Sequence, residues 1–208
     1  LIQSAYGIQT KLNEAIVGQE HMGQAMQDRV AYWLENFGTR SAEPVALHNI
    51  GLPGVGKSAS LKVLENLGIP VVYIDAQKYV AGDQGDGVSY RLYTTLRSAH
   101  EKQGGGKKPY ILLIDELDKT PEINSENKEK TQPLIGMLNE ILTNGKLVPP
   151  YSGGAELNFS NVLIVTAMNF SQKEIELFSK EILGADKSYW DFTEEDAQKL
   201  DNWLRGPG

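Results

Sequence analysis

The stretch Gly51-Leu-Pro-Gly-Val-Gly-Lys-Ser58 decides how the rest of this 208-residue chain is read. Its spacing is G-x-x-x-x-G-K-[ST], a glycine-rich turn followed by a lysine and a hydroxyl. Gly54 and Gly56 let backbone N–H groups converge on an anion, and a helix starting at the same point adds the partial positive charge of its N-terminus. The flanks agree. Val45 to Ile50 is mostly apolar and reads as a buried strand, and Ala59 to Leu67 reads as a helix with Leu61 and Leu64 on one face. In this setting Lys57 reaches the β- and γ-phosphates of a nucleotide, and the Ser58 hydroxyl sits on a magnesium ion. The competing reading, a glycine turn that fits the pattern by chance, lacks a reason for the strand before it and the helix after it.

A second stretch answers the first. Ile111-Leu-Leu-Ile-Asp115-Glu116 is four apolar residues followed by two acids. The apolar run places this strand in the centre of a sheet, beside the phosphate-loop strand. Asp115 then meets the magnesium through water, and Glu116 is placed to polarise an attacking water as general base. Alone, the same residues describe a buried strand ending in a solvated acidic turn. Together with the phosphate loop upstream they describe a nucleoside triphosphatase site.

Between and around these motifs the chain alternates helices and strands. A short helix precedes Gly18, which breaks it. A second helix from about Gln19 to Phe37 carries Met22, Met26, Val30, Trp33 and Phe37 at spacings of three or four, a core face. His21 reads as an exposed helix residue. Gly38 to Pro44 is a polar connector. Gly68 and Pro70 end the phosphate-loop helix, and Val71 to Asp75 is a short buried strand ending in an acid. Tyr79 to Gly87 reads as a loop and Val88 to Gln103 as a helix with Leu92, Leu96 and Ala99 inward. Gly104 to Pro109 reads as an exposed turn. Thr120 to Gln132 is polar and without periodicity, a loop. A helix runs from Pro133 to Leu142 and ends at Asn144-Gly145. Lys146 to Ser160 reads as a hairpin-like insertion, Asn161 to Thr166 as a buried strand and Ser171 to Leu183 as a helix. Trp190 and Trp203 read as burying a final one. Parallel β-α units at this spacing predict an α/β fold, a three-layer α/β/α sandwich on a central parallel sheet. Gly51, Asp75, Asp115-Glu116 and Asn169 then fall at strand C-terminal ends, where such sheets bind ligands.

Composition narrows the classes. A net charge of −7, from 20 basic and 27 acidic residues, argues against non-specific nucleic-acid binding. There is no cysteine, hence no disulfide framework and no thiolate metal site. No run of about 18 apolar residues is present, so no membrane partner is expected. The chain starts at Leu1 rather than Met and stops at Arg205-Gly-Pro-Gly208, which reads as a piece of something longer.

In order, these features resemble the large ATPase subdomain of AAA+ proteins, P-loop nucleoside triphosphatases, from about Ile16 to Phe170. Ile16-Val17-Gly18-Gln19 resembles the segment that lines the adenine pocket. Asn169 resembles the sensor-1 residue that orients water and senses the γ-phosphate; a turn asparagine is the other reading. The stretches Leu138 to Lys146 and Leu157 to Asn169 resemble those of Lon-type and Clp-type unfoldases, whose insertion before the sensor-1 strand has its counterpart in Lys146 to Ser160. Tyr79-Val80-Ala81-Gly82 resembles their substrate-gripping pore loop, against the alternative of a Tyr79 that packs locally.

The resemblance implies a cytoplasmic ATPase and chaperone-like unfoldase, assembled with itself as a homo-hexamer ring acting on a protein substrate, with ATP/ADP and Mg2+ as cofactors. It implies nucleotide contacts from Val17, Gly18, Pro53, Gly54, Val55, Gly56, Lys57, Ser58 and Ala59. Metal contacts fall to Ser58 and Asp115, catalysis to Glu116, Lys57 and Asn169, and substrate contacts to Tyr79 and Val80. Residues 1–40 form an N-terminal helical segment, 41–185 the ATPase core and 186–208 a C-terminal helical tail. Two departures stand out. Arg205 is the only arginine after Arg97 and is therefore the candidate finger for a neighbouring subunit, an exposed helix-end arginine being the other reading. The helical lid with its sensor-2 arginine is missing, so hydrolysis by this polypeptide alone is expected to be slow. The rivals are a nucleic-acid motor or loader on the same module, and a scaffold in which nucleotide fixes assembly without turnover.

Overall fold

The computed structural model describes residues 7–15, 20–39, 44–51, 57–66, 68–79, 85–117, 133–169, 172–184, 193, 195–196 and 198–199. The chain divides into two compact units, Leu1–Ile50 with Gly56–Met168, and Gly51–Val55 with Asn169–Gly208.

The first unit opens with helices α1 (Ile8–Ala15) and α2 (Glu20–Glu35), followed by strand β1 (Val45–Gly51) and helix α3 (Lys57–Glu65). Then come β2 (Val71–Asp75), a 3-10 turn (Ala76–Tyr79), α4 (Gly85–Lys102) and β3 (Ile111–Asp115). Helix α5 (Pro133–Asn144), the short strands β4 (Lys146–Leu147) and β5 (Leu157–Asn158), and β6 (Leu163–Asn169) follow. The helix α4 starts three residues earlier than periodicity places it. Gly85 and Gly87 sit in its first turn, where a glycine costs less than in a helix interior. Likewise β6 begins two residues later than expected and runs on to Asn169, as Asn161 is taken up in a turn.

Four strands form the central sheet in the order β1-β6-β3-β2. β2 pairs parallel with β3, placing Tyr73 opposite Leu113 and Asp75 opposite Asp115, and β3 pairs parallel with β6 from Ile111↔Leu163 to Ile114↔Thr166. This corrects one expectation. β3 is interior, but β6 and not β3 lies beside the phosphate-loop strand. The reason is that Leu163 to Ala167 is buried as completely as Ile111 to Ile114, so apolar character cannot rank two interior strands.

Side chains alternate across the sheet and feed two cores. Ile111 and Leu113, with Leu163 and Val165, pack against Met26, Val30 and Trp33 of α2 and Val63 and Leu64 of α3. Leu112 and Ile114, with Val162 and Ile164, pack against Leu92 and Leu96 of α4 and Leu134, Leu138 and Ile141 of α5. The three layers follow from this alternation, each fully buried Leu or Ile contributing roughly 1.5–3 kcal/mol of burial. The core face read from the α2 sequence is therefore present in Met26, Val30 and Trp33, while Phe37 is half-buried in the turn beyond the helix. The side chains of His21 and Met22 lie outside the described residues.

Three loops close the unit. Gly145 at φ 67 ends α5, its N–H bonding Ile141 O at 2.8 Å, and turns the chain into the antiparallel pair Lys146↔Asn158, Leu147↔Leu157. This is the hairpin that the Pro- and Gly-rich stretch predicted. Gly104, Gly105 and Gly106 all have positive φ, but the turn they make is not wholly exposed. Gly106 is buried, and a Cβ on it would lie 3.0 Å from Asn158 O and 3.4 Å from the His100 ring. Asn161 gathers distant segments: its O accepts Trp33 Nε1 at 2.9 Å, its Oδ1 accepts Gly38 N at 3.1 Å, and its Nδ2 donates to Gly106 O at 3.4 Å.

In the second unit, α6 (Gln172–Glu181) buries Phe178 and Ser179, and Gly184 in the turn beyond it has φ 63. Farther on, Thr193 and Asp196 cap one another: Thr193 N and Oγ1 both donate to Asp196 Oδ2 at 2.9 Å, and Asp196 N donates to Thr193 Oγ1 at 3.2 Å. That reciprocal arrangement is a helix-start signature. Trp190, Trp203 and the stretch expected as a loop, Thr120 to Gln132, lie outside the described residues.

Candidate nucleotide site

In a parallel sheet the strand C-termini share one edge, and ligands bind there. In the first unit that edge carries Asp75 from β2 and Asp115 with Glu116 from β3. Lys57 opens α3, the helix that follows β1. It is only 8% exposed, unlike a solvated surface lysine, and buried lysines are almost always paired. The start of α3 is tied back to its strand. Asn49 Nδ2 donates to Ser60 Oγ at 2.8 Å, and Ser60 Oγ donates to Lys57 O at 2.6 Å. Both side chains are buried, so this chain of bonds fixes where the helix begins relative to β1. An asparagine inside an apolar strand, two residues before the glycine loop, is the signal that could have shown it.

The two acids after β3 are held from β2. Asp115 accepts Glu116 N on Oδ1 at 2.8 Å and the Tyr73 hydroxyl on Oδ2 at 3.1 Å. Glu116 has φ 58, a left-handed conformation costing roughly 1–2 kcal/mol for a residue with a Cβ. Strain of this kind persists where surrounding bonds over-determine it. Here Gln77 Nε2 donates to Glu116 Oε2 at 2.5 Å. Gln77 is itself placed by the 3-10 turn, whose first bond runs from Gln77 N to Asp75 Oδ1 at 3.1 Å, while Lys78 Nζ lies 3.5 Å from Asp75 Oδ2. Tyr73 and Gln77 thus hold the acidic pair, and Asp75 holds Gln77. Tyr73 is 54% exposed, on a strand whose outer flank opens on a cleft of about 500 Å³ running along α4. Its phenol is pushed up to about 12, first by desolvation, then by its bond to Asp115 and the charges of Asp115, Asp75 and Glu116. It therefore stays a neutral donor at ordinary pH. Neither Tyr73 nor Gln77 was marked by the sequence.

The remaining expected residues fall as follows. Asn169 is the half-buried last residue of β6. Tyr79 closes the 3-10 turn, packs half-buried against the second core, and donates its hydroxyl to Thr95 Oγ1 of α4 at 3.2 Å. The backbone of Ser58 and Ala59 belongs to α3, but their side chains, together with Val17, Gly18, Pro53, Gly54, Val55, Gly56, Val80 and Arg205, lie outside the described residues.

The donor set suits a hard cation brought in with phosphate. Among the described residues no three or more His, Cys, Asp or Glu side chains converge to hold a metal by themselves. Magnesium is commonly held through one or two carboxylates, water and substrate phosphates rather than an all-protein cage. Asp115 offers such a carboxylate. Also among the described residues, no helix is long and apolar enough to cross a membrane.

In comparison with known families, the model of the ATPase family associated with various cellular activities (AAA) matches residues 47–183, from within β1 to just past α6. No curated protein matches the chain. Because that family match takes in well over half of the 208 residues, and strands β2, β3 and β6, the paired acids and the helix-opening lysine lie within it, the chain belongs to the AAA ATPase family.

Proposed function

We propose that the chain binds ATP with magnesium and hydrolyses it, and that turnover drives remodelling of a protein substrate in a ring of identical subunits. The observation that carries this reading is the pair Asp115-Glu116 at the end of a buried interior strand, held by Tyr73 and Gln77, in the same unit as a buried Lys57 opening a helix. In this reading Lys57 balances charge on the β- and γ-phosphates, and Ser58 and Asp115 hold the metal. Magnesium, when bound, neutralises charge developing on the phosphate oxygens. Water attacks the γ-phosphorus, the bond from that phosphorus to the β–γ bridging oxygen breaks, ADP and phosphate leave, and the water proton passes to the Glu116 carboxylate. Asn169 positions the water. Gln77 occupies one oxygen of the Glu116 carboxylate, so Glu116 turns to the water when Gln77 has let go of it.

The wider assignment is likewise proposed. The net charge of −7 favours a protein over a nucleic-acid substrate. Tyr79 and Val80 grip that substrate, which requires the Tyr79–Thr95 bond to open. Arg205 completes the site of the neighbouring subunit, the ring is a hexamer of Lon- or Clp-like type, and the compartment is the cytoplasm.

The test is Glu116→Gln in the assembled protein. Turnover falls by about 100- to 10,000-fold while ATP binding persists. Unchanged turnover would remove Glu116 from the mechanism.

A further inference from the structure

We propose that Tyr73 is a positioning residue for Asp115, locking its carboxylate in the orientation a metal-bound water has to meet. The inference rests on the reading of Asp115 as the metal-side acid. In the β2–β3 register Tyr73 lies opposite Leu113, and Asp115 lies opposite Asp75. All four side chains share one face of the sheet, because alternate residues along a strand do. Tyr73 and Asp115 are diagonal neighbours, roughly 8 Å apart at the backbone from the strand spacing and the rise of two residues, a span that an aromatic side chain bridges and a serine or threonine does not. The phenol closes it with a bond of 3.1 Å to Oδ2, and the Glu116 N–H holds Oδ1 at 2.8 Å.

Two donors on different oxygens stop rotation about the last side-chain torsion of Asp115, which is otherwise broad and roughly two-fold. Each carboxylate oxygen has two lone pairs, so acceptor capacity is left for a metal-bound water. The donor is neutral. A lysine there would hold the carboxylate and also cancel the charge that a cation needs. The position explains the residue type in another way. Val71, Val72 and Ile74 are half-buried or buried, whereas Tyr73 is 54% exposed. Its ring gains little from burial, and its hydroxyl accounts for its presence.

The experiment titrates magnesium into the 208-residue chain with a fluorescent ATP analogue and compares wild type with Tyr73→Phe. The variant needs about tenfold more magnesium for half-saturation, the low end of the 10–100-fold typical when a residue supporting a metal ligand is lost. Its affinity for the analogue in excess EDTA and its Tm stay at the wild-type values. A magnesium requirement within about twofold of wild type overturns the inference, since a lost supporting bond costs more than that. So does a parallel loss of metal-free affinity and Tm, which marks a packing role. A wild-type chain without magnesium-dependent binding overturns the reading of Asp115 and this inference with it, which separates the two failures.

Discussion

The two ends of β3 carry the same pair of groups, a tyrosine hydroxyl against an ionisable side chain, and use it in opposite ways. Just before the strand, the Tyr110 hydroxyl and His100 Nδ1 lie 2.8 Å apart and are buried. Phe159 packs 4.9 Å from the imidazole between ring centroids, and Gly106 leaves no room beside it. Desolvation lowers the His100 pKa and raises that of Tyr110, so both remain neutral and satisfy one another. At the other end Tyr73 meets Asp115 in the open, with Asp75 opposite and Glu116 next in the chain. The chemistry is similar and the access of water is not. A buried polar pair is committed to the fold, because neither member can leave without stranding the other. An exposed pair among like charges costs some stability and remains available to a ligand.

That contrast can be broken by separating stability from binding. Asp115→Asn has the largest expected effect: magnesium-dependent nucleotide affinity falls by about 10- to 100-fold. Tm does not fall with it, because the substitution relieves the like charges paired across β2 and β3. A large drop in Tm would make Asp115 structural and erase the distinction. At the other end, Tyr110→Phe leaves buried His100 Nδ1 without its hydroxyl and costs about 1–3 kcal/mol, a Tm loss of several degrees by calorimetry, with nucleotide binding intact. Gly106→Ala forces a Cβ into a backbone at φ 77 and to within 3.0 Å of Asn158 O. Its cost is about 1–2 kcal/mol from the left-handed conformation alone, read from the urea midpoint.

The smallest effect is a pH dependence. The folded-state pKa of His100 is lowered from 6.5, so on acidification the unfolded chain takes up its proton first. Its contribution is full above 6.5 and is lost as pH falls from there through the folded value. Urea midpoints measured downward from neutrality decline, and His100→Gln flattens that part of the profile. An unchanged slope in the variant would assign the acid sensitivity to other groups.

Much of the fold could be read from the sequence because it depends on local signals. The apolar runs of β1, β3 and β6, the stop at Gly145 and the hairpin that follows each announce themselves within a few residues. The sheet order does not. Both interior strands are apolar throughout, so nothing in Leu163 to Ala167 says that it separates β1 from β3. The acids Asp115 and Glu116 were visible as residue types at a strand end. Their supports were not, since Tyr73 reaches Asp115 only through a cross-strand diagonal, and Gln77 meets Glu116 only because a 3-10 turn follows β2. Gly106 misled for the same reason: a run of glycines looks exposed until the chain that packs on it, here Asn158, is known.

The bond from the Trp33 indole to the backbone at Asn161 has a practical consequence. Since the family match starts only at residue 47, a shorter version beginning there is a tempting design for crystallisation or assays. It would strip Met26, Val30 and Trp33 from the sheet, leaving Leu163 and Val165 with only the cover that Val63 and Leu64 of α3 provide. Such a product is expected in inclusion bodies, so the leading helices belong in any trimmed form meant to stay in solution.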